Sequence, residues 1–337
     1  FKQKTAYEIM PSLVGSEMCI RDSGYTVPNG ILECREAVSR KIQKLYNAKV
    51  SPERIFIVLG GKPTMHYAIS FFGEPGVEII YPDPGFPIYE SMIRYTGAKP
   101  VPYNLSDKDN FNINVEKIVS LINDKTRLFI INNPHNPTGS FADKSVIDKL
   151  ANVILKYPNV AILSDEIYGR LIFEKKEFPT FFNYPDLYDR LIILDGWSKT
   201  YAMTGWRLGW GVWPEKLVDH LFKFCVNNHS CVNAAIQYGA ISALDGPEDS
   251  IHSMVKKFIL RKNLIVDGLK KIKGIVCNES RAGFFIFPNI KGTGMNSDEF
   301  STRCLNEAGV ALIPGTAFGK FAVDNVCLLY TSPRPRD

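Results

Sequence analysis

The chain predicts an α/β fold, a mainly parallel mixed sheet sandwiched by helices, with a smaller α+β region towards its C-terminus. Three observations carry this. Short β-branched runs alternate with amphipathic helical stretches; Gly and Pro punctuate the junctions; and after about residue 215 longer helical stretches replace the alternation. At 337 residues, with 45% apolar and 22% charged side chains, the chain is long enough to bury the core of about two domains.

Taken in order, Ile31, Cys34, Val38, Ile42 and Leu45 step by three or four and describe one face of a helix over 31–46, which Ser51-Pro52 follows as a break. A β-branched run over 55–59 stops at Gly60-Gly61, and a helical pattern through Met65, Ala68 and Phe72 ends at Gly73 and Pro75. The same grammar gives a strand at 77–81, a helix at 88–95, a strand at 128–131, a helix at 144–156, and strands at 160–164, 191–194 and 208–212. Beyond it come a long helix over 250–271 with its lysines on a solvated face, strands at 275–276 and 284–287, a helix at 297–308 and a strand at 310–313. These divide into a large domain over 24–265 and a small C-terminal domain over 266–326. Residues 1–23 and 327–337 carry no clear periodicity and look similar to translated sequencing-adapter read-through. Both are set aside as non-native segments and expected to pack poorly.

Composition excludes several functions. Lys and Arg (40) exceed Asp and Glu (35) by five, but the charges are interleaved and form no basic stripe, so no nucleic-acid partner is expected. The longest apolar runs, 128–131 and 284–287, are far below a membrane span. Seven cysteines without a C-x-x-C pair and five histidines without H-E-x-x-H spacing predict neither a disulfide framework nor a structural metal. Free thiols and the lack of signal-peptide order make the cytoplasm the expected location.

The chemistry-bearing residues lie in loops after strands, where open α/β sheets place ligands. Asn132-Asn133-Pro134-His135-Asn136-Pro137-Thr138-Gly139 follows the run ending at Ile131. On its Pro and Gly content alone it reads as a turn. Ser164-Asp165-Glu166-Ile167-Tyr168 puts carboxylates at the end of a buried strand, where they must be paired or functional. Gly196-Trp197-Ser198-Lys199-Thr200-Tyr201-Ala202-Met203-Thr204-Gly205-Trp206-Arg207-Leu208-Gly209 brings a lysine and an arginine eight residues apart. A surface role would account for Lys199 alone.

In that order, N-P-x-N-P-T-G, S-D-E-x-Y and S-K-T-x-x-M-x-G-x-R-x-G strongly resemble the class I/II aminotransferases of the pyridoxal phosphate fold-type I superfamily, over about residues 24–326. The resemblance implies that Lys199 bonds covalently to the aldehyde of pyridoxal 5'-phosphate and later serves as general base. It implies that Asp165 pairs with the pyridine nitrogen, that Tyr168 and Asn136 hydrogen-bond the phenolic oxygen, and that Arg207 grips the phosphate with its planar fork. Gly61 and Lys62, at a strand-to-helix turn, are an expected anion site, and Ser198 is the expected stand-in for the family's phosphate-binding hydroxyl residue. Phe86 in Tyr81-Pro82-Asp83-Pro84-Gly85-Phe86-Pro87-Ile88-Tyr89 matches the aromatic residue set against the cofactor face; the alternative is a core phenylalanine. Tyr25 looks like the tyrosine that reaches the neighbouring subunit's phosphate, implying a homodimer with shared active sites. The implied reaction is ping-pong transfer of an amino group from an L-amino acid to a 2-oxo acid, with 2-oxoglutarate the expected acceptor. A fold-type I lyase, either a carbon–sulfur lyase or a cyclopropane-forming synthase, is the alternative, and a non-catalytic cofactor-sensing domain a further one.

Two departures from the pattern bear on activity. Gly196 stands where the family often has a phosphate-binding Ser or Thr. Pro314-Gly315-Thr316-Ala317-Phe318-Gly319 resembles the lead-in to a strand whose arginine clamps the substrate carboxylate, but that position is Cys327, and the family's N-terminal segment is not matched before Gly24. The expectation is a truncated aminotransferase that binds cofactor and turns over poorly.

Overall fold

A computed structural model describes residues 24–174 and 176–330; the expected non-native segment 1–23 and residues 331–337 of the expected tail lie outside the described residues. In chain order the main elements are α1 (Leu32–Tyr46), β1 (Ile55–Val58), α2 (Lys62–Phe72), β2 (Glu78–Asp83), α3 (Ile88–Tyr95), β3 (Lys99–Asn104), α4 (Val115–Leu121), β4 (Thr126–Asn132), α5 (Lys144–Ile154), β5 (Ala161–Asp165) and β6 (Leu191–Gly196). They continue with α6 (Trp197–Thr200), β7 (Gly209–Val212), α7 (Val218–Asn228), α8 (Ala234–Asp245), α9 (Asp249–Leu269), β8 (Phe285–Ile286), α10 (Ser297–Ala308), β9 (Ile313–Pro314) and β10 (Val326–Leu329). The chain groups into two compact units, one of 24–61 with Gly196–Pro247 and one of Lys62–Asp195 with the residues from Glu248 onward. The expected boundary at 265/266 lies within α9.

The second unit carries the parallel sheet, in the order β6-β5-β4-β2-β3, with helices crossing between successive strands over most of it. Its central strands read as continuous apolar runs because both faces are covered; Leu128, Phe129, Ile130 and Ile131 are wholly buried. Helix α5 turns Ile147, Leu150, Ala151 and Ile154 inward, the spacing of one helical face. The same unit holds a small antiparallel sheet, β8-β10-β9.

Several expectations are corrected here. The strand expected at 275–276 is a single bridge between Val276 and Asn289, and the one at 310–313 begins only at Ile313. Lys262 of α9, expected on the solvated face, is buried and donates to Glu279 at 2.7 Å. Residues 327–330 do not pack poorly. Cys327 and Leu328 lie in β10 and pair with Ile313 and Ile286, and Tyr330 is buried with its N–H donating to Phe284 O at 3.0 Å.

Glu166, just past β5, anchors the following loop. Its carboxylate accepts from Ser164 Oγ (2.9 Å), Thr180 Oγ1 (2.7 Å) and the Phe181 N–H (3.1 Å). Burial outweighs these three donors and pushes its ionisation up to about 7.

In the first unit β1 and β7 pair antiparallel, Ile57 opposite Trp210 and Val58 opposite Gly209. Three glycines then bring backbones together where no side chain fits. A Cβ on Gly196 would lie 2.7 Å from Gly209 Cα, one on Gly209 2.6 Å from the Gly60 carbonyl carbon, and one on Gly60, where φ is +83°, 2.3 Å from Arg207 Nη2. This gives the physical reason for Gly196 where a hydroxyl residue was expected.

Two predictions follow from this packing. Gly209→Ala forces backbone against backbone and lowers stability by about 1–3 kcal/mol, whereas Gly268→Ala, with open space around it in α9, is neutral or stabilising; thermal unfolding of the two variants decides. Because Glu166 holds its proton more tightly when folded, its contribution to stability is complete below an ordinary carboxylate value of 4.5 and is lost as pH rises through about 7. Glu166→Gln, whose amide Thr180 meets by turning its hydroxyl, therefore flattens the fall in urea midpoint across that window; an unchanged pH profile contradicts this.

Candidate active site

In the first unit the lysine loop is held from below. Trp197 is wholly buried; its Nε1–H donates to Ala240 O of α8 at 3.1 Å and its backbone N–H to Leu208 O at 3.3 Å. The single turn of α6 built on it carries Ser198, which is buried, and Lys199, which is half-buried. Arg207 has left-handed backbone, φ 52°, and its fork donates to Thr204 O (Nη1, 2.7 Å) and Leu59 O (Nη2, 3.4 Å), which holds the guanidinium against Gly60. The loop that carries Lys199 and Arg207 and the Gly60-Gly61 turn are thus neighbours. Tyr25 is 93% exposed, away from them.

In the second unit the chemistry gathers at the C-terminal ends of β4 and β5. Asn132 and Asp165 stand opposite each other in register, and Asn132 Nδ2 and the Asn133 N–H both donate to Asp165 O, at 3.1 and 3.0 Å. Asn132 Oδ1 in turn accepts the Asn136 N–H at 2.8 Å, so the proline-rich loop is tied back to the strand that carries Asp165. The Asp165 carboxylate is buried, accepting from Tyr89 Oη (2.6 Å) at Oδ2 and from the Ile167 N–H (3.2 Å) at Oδ1. His135 is a satisfied core imidazole at Nδ1, 2.8 Å from Thr138 Oγ1, and burial pushes its ionisation down to about 3, so it is neutral.

Tyr168 is buried edge-on to Phe284 and Phe285, with ring centroids 5.7 and 5.2 Å away. Burial first, then the charge of Asp165, push its phenol well up, so it is a neutral hydrogen-bonding group. The Cys327 thiol is itself pushed up to about 12 by burial and carries no charge at neutral pH. Phe86 is half-buried, not a core residue, and the Lys62 ammonium lies 5.4 Å from its ring centroid. Its loop is fixed by Gly85 N–H to Phe318 O (2.7 Å) and by the buried Asp83, whose carboxylate accepts from the Lys320 and Phe321 N–H groups (3.3 Å each).

Sequence reasoning assigned no role to Tyr89, Asn132 and Gly209. Tyr89 had a signal, an aromatic three residues after Phe86 on the first turn of a helix; Gly209 had one too, closing the third motif after Arg207. Asn132 reads only as a strand end.

Each unit by itself carries groups of the kind a phosphate-bearing heterocyclic aldehyde needs: in the first, an arginine fork against a glycine cradle that a Cβ would fill, on the loop that bears Lys199; in the second, a buried carboxylate at a strand end. A family model for aminotransferase class I and II matches residues 13–328. Aspartate aminotransferases of Sulfolobus acidocaldarius and Pyrococcus horikoshii are 34% and 36% identical, over 88% and 94% of this chain and 75% and 81% of theirs. A solved aromatic aminotransferase from Pyrococcus horikoshii superposes with a TM-score of 0.89 at 31% identity, over 98% of this chain and 89% of its own. Those folds are of the α/β type expected from the sequence, and the chain belongs to the class I and II aminotransferases, a family of pyridoxal phosphate-dependent enzymes.

Proposed function

We propose that the chain is a transaminase moving an amino group from an L-amino acid to a 2-oxo acid, with 2-oxoglutarate as acceptor, in a ping-pong sequence. The observation that carries this is the buried carboxylate of Asp165, a residue whose backbone carbonyl is tied through Asn132 to the loop bearing Asn136. Relatives named as aspartate, aromatic and aspartate/prephenate aminotransferases support transfer over carbon–sulfur elimination and over a sensing role.

Pyridoxal phosphate, when bound, supplies an aldehyde for the amine and a ring that accepts electrons from Cα. Lys199 Nζ would hold the aldehyde and, as a free amine, would serve as the base that moves the substrate's Cα proton. Asp165 holds a proton at the ring nitrogen. Tyr168 Oη and Asn136 Nδ2 bind the phenolic oxygen. Arg207, Gly61, Lys62 and Ser198 would bind the phosphate, and Phe86 would supply an aromatic contact for the ring. Tyr25, so far exposed in one chain, would reach a phosphate in a second copy, making a homodimer with shared sites.

Position 327 is the weak point. A neutral buried thiol stands where the family's pattern places the cation for the substrate α-carboxylate, so substrate is held loosely.

Three measurements test this reading. Borohydride reduction after incubation with pyridoxal phosphate labels Lys199 on peptide mapping, and Lys199→Ala removes the label and lowers turnover at least about 10³-fold. Label elsewhere overturns the assignment. Arg207→Lys weakens cofactor binding about tenfold, because a point charge cannot replace the fork; equal affinity by equilibrium dialysis contradicts it. Cys327→Arg raises kcat/KM for amino acids about 10–100-fold, the worth of a charge-assisted pair, and no gain would remove the clamp from the account.

A further inference from the structure

We propose that Tyr89 is a positioning residue for the cofactor's ring nitrogen, acting through the Asp165 carboxylate. The inference rests on the reading of Asp165 given above and adds the group that holds it in place. Tyr89 lies at the start of α3, two residues into the helix, and is wholly buried. Its hydroxyl donates to Asp165 Oδ2 at 2.6 Å, in the range of a charge-assisted O–H···O bond. The Ile167 N–H reaches the other oxygen, Oδ1, at 3.2 Å. A donor on each oxygen, the Tyr89 hydroxyl and the Ile167 N–H, fixes the direction of the carboxylate plane.

The chemistry of the pair is one-sided. A hydroxyl donated to a carboxylate favours the charged form over the acid, and a pyridinium nitrogen needs the charged form. Burial, then the charge of Asp165, raises the Tyr89 phenol's own ionisation well above its ordinary value, so the proton stays on the phenol and Tyr89 remains a donor. The neighbouring buried phenol is engaged elsewhere: Tyr103 Oη donates to Ile130 O at 3.3 Å. The Tyr89 ring also packs edge-on to Phe86, with centroids 6.2 Å apart, a contact that phenylalanine at 89 preserves. Tyr89→Phe therefore removes one hydrogen bond and little else.

The test compares two ligands on the full-length apoprotein by equilibrium dialysis: pyridoxal phosphate, and its analogue with a ring C–H in place of the pyridine nitrogen. Wild type is expected to prefer the nitrogen-bearing ligand. Tyr89→Phe should shrink that preference about tenfold with the analogue's affinity unchanged, and Tyr103→Phe, which removes an equally buried hydroxyl, should leave it intact. If Tyr89→Phe keeps the preference, or weakens both ligands equally, the inference is overturned. A preference that Asp165→Asn abolishes and Tyr89→Phe keeps overturns the inference alone. No preference in wild type overturns the Asp165 reading and this inference with it.

Discussion

The structure around the lysine depends on the contact of bare backbone with bare backbone. Gly209 lies between Gly196 on one side and Gly60-Gly61 on the other, at separations no side chain permits. Three stretches distant in sequence, the phosphate-type turn, the start of the lysine loop and the strand after Arg207, are thereby held within one backbone thickness of each other. Packing of this kind is intolerant because the atoms that would have to move are backbone atoms of β6, of β7 and of the turn that follows β1, none of which can shift without its strand. Lys199 inherits its position from this contact, from Trp197 beneath it and from the backbone bonds of its own turn, Tyr201 N–H to Trp197 O (3.2 Å) and Ala202 N–H to Lys199 O (3.3 Å).

The second unit uses polar atoms for the same end. Asp165, Glu166, Asn132 and Asn133 are all buried at the ends of two parallel strands, where an unpaired polar group is costly. Asp165 meets Tyr89 and Ile167 N–H, while Glu166 turns to the other side of the strand and meets Ser164, Thr180 and Phe181 N–H. Two adjacent carboxylates thus lead separate lives, one facing the loops at the strand ends and one locking a loop behind them. Alternation along an extended chain makes this division unavoidable.

How much was legible in the sequence depends on which force dominated locally. Helices with a clear apolar face, such as α3 and α5, were readable nearly to the residue, because periodicity and burial coincide there. Strand β3 was not. Lys99-Pro100-Val101-Pro102-Tyr103 carries two prolines that argue against a strand, yet they are tolerated because β3 forms the edge of its sheet. The short strands near the C-terminus were misplaced for a different reason: two residues are too few for any period to show. The order of the three motifs pointed to the chemistry, whereas Tyr89 and Gly209 matter through contacts made across more than 75 residues of chain, which no local pattern displays.

Strand β10 shows how little a sheet asks of its occupant. Its place between β8 and β9 is specified by backbone N–H and C=O groups and by a few inward apolar side chains, Val326 and Cys327 among them. Any segment of suitable β-propensity completes that ladder, whatever its ancestry. Likeness of fold is therefore blind to which side chain stands at residue 327. Backbone pairing sets the outline of such a strand, while the chemistry it presents is set residue by residue.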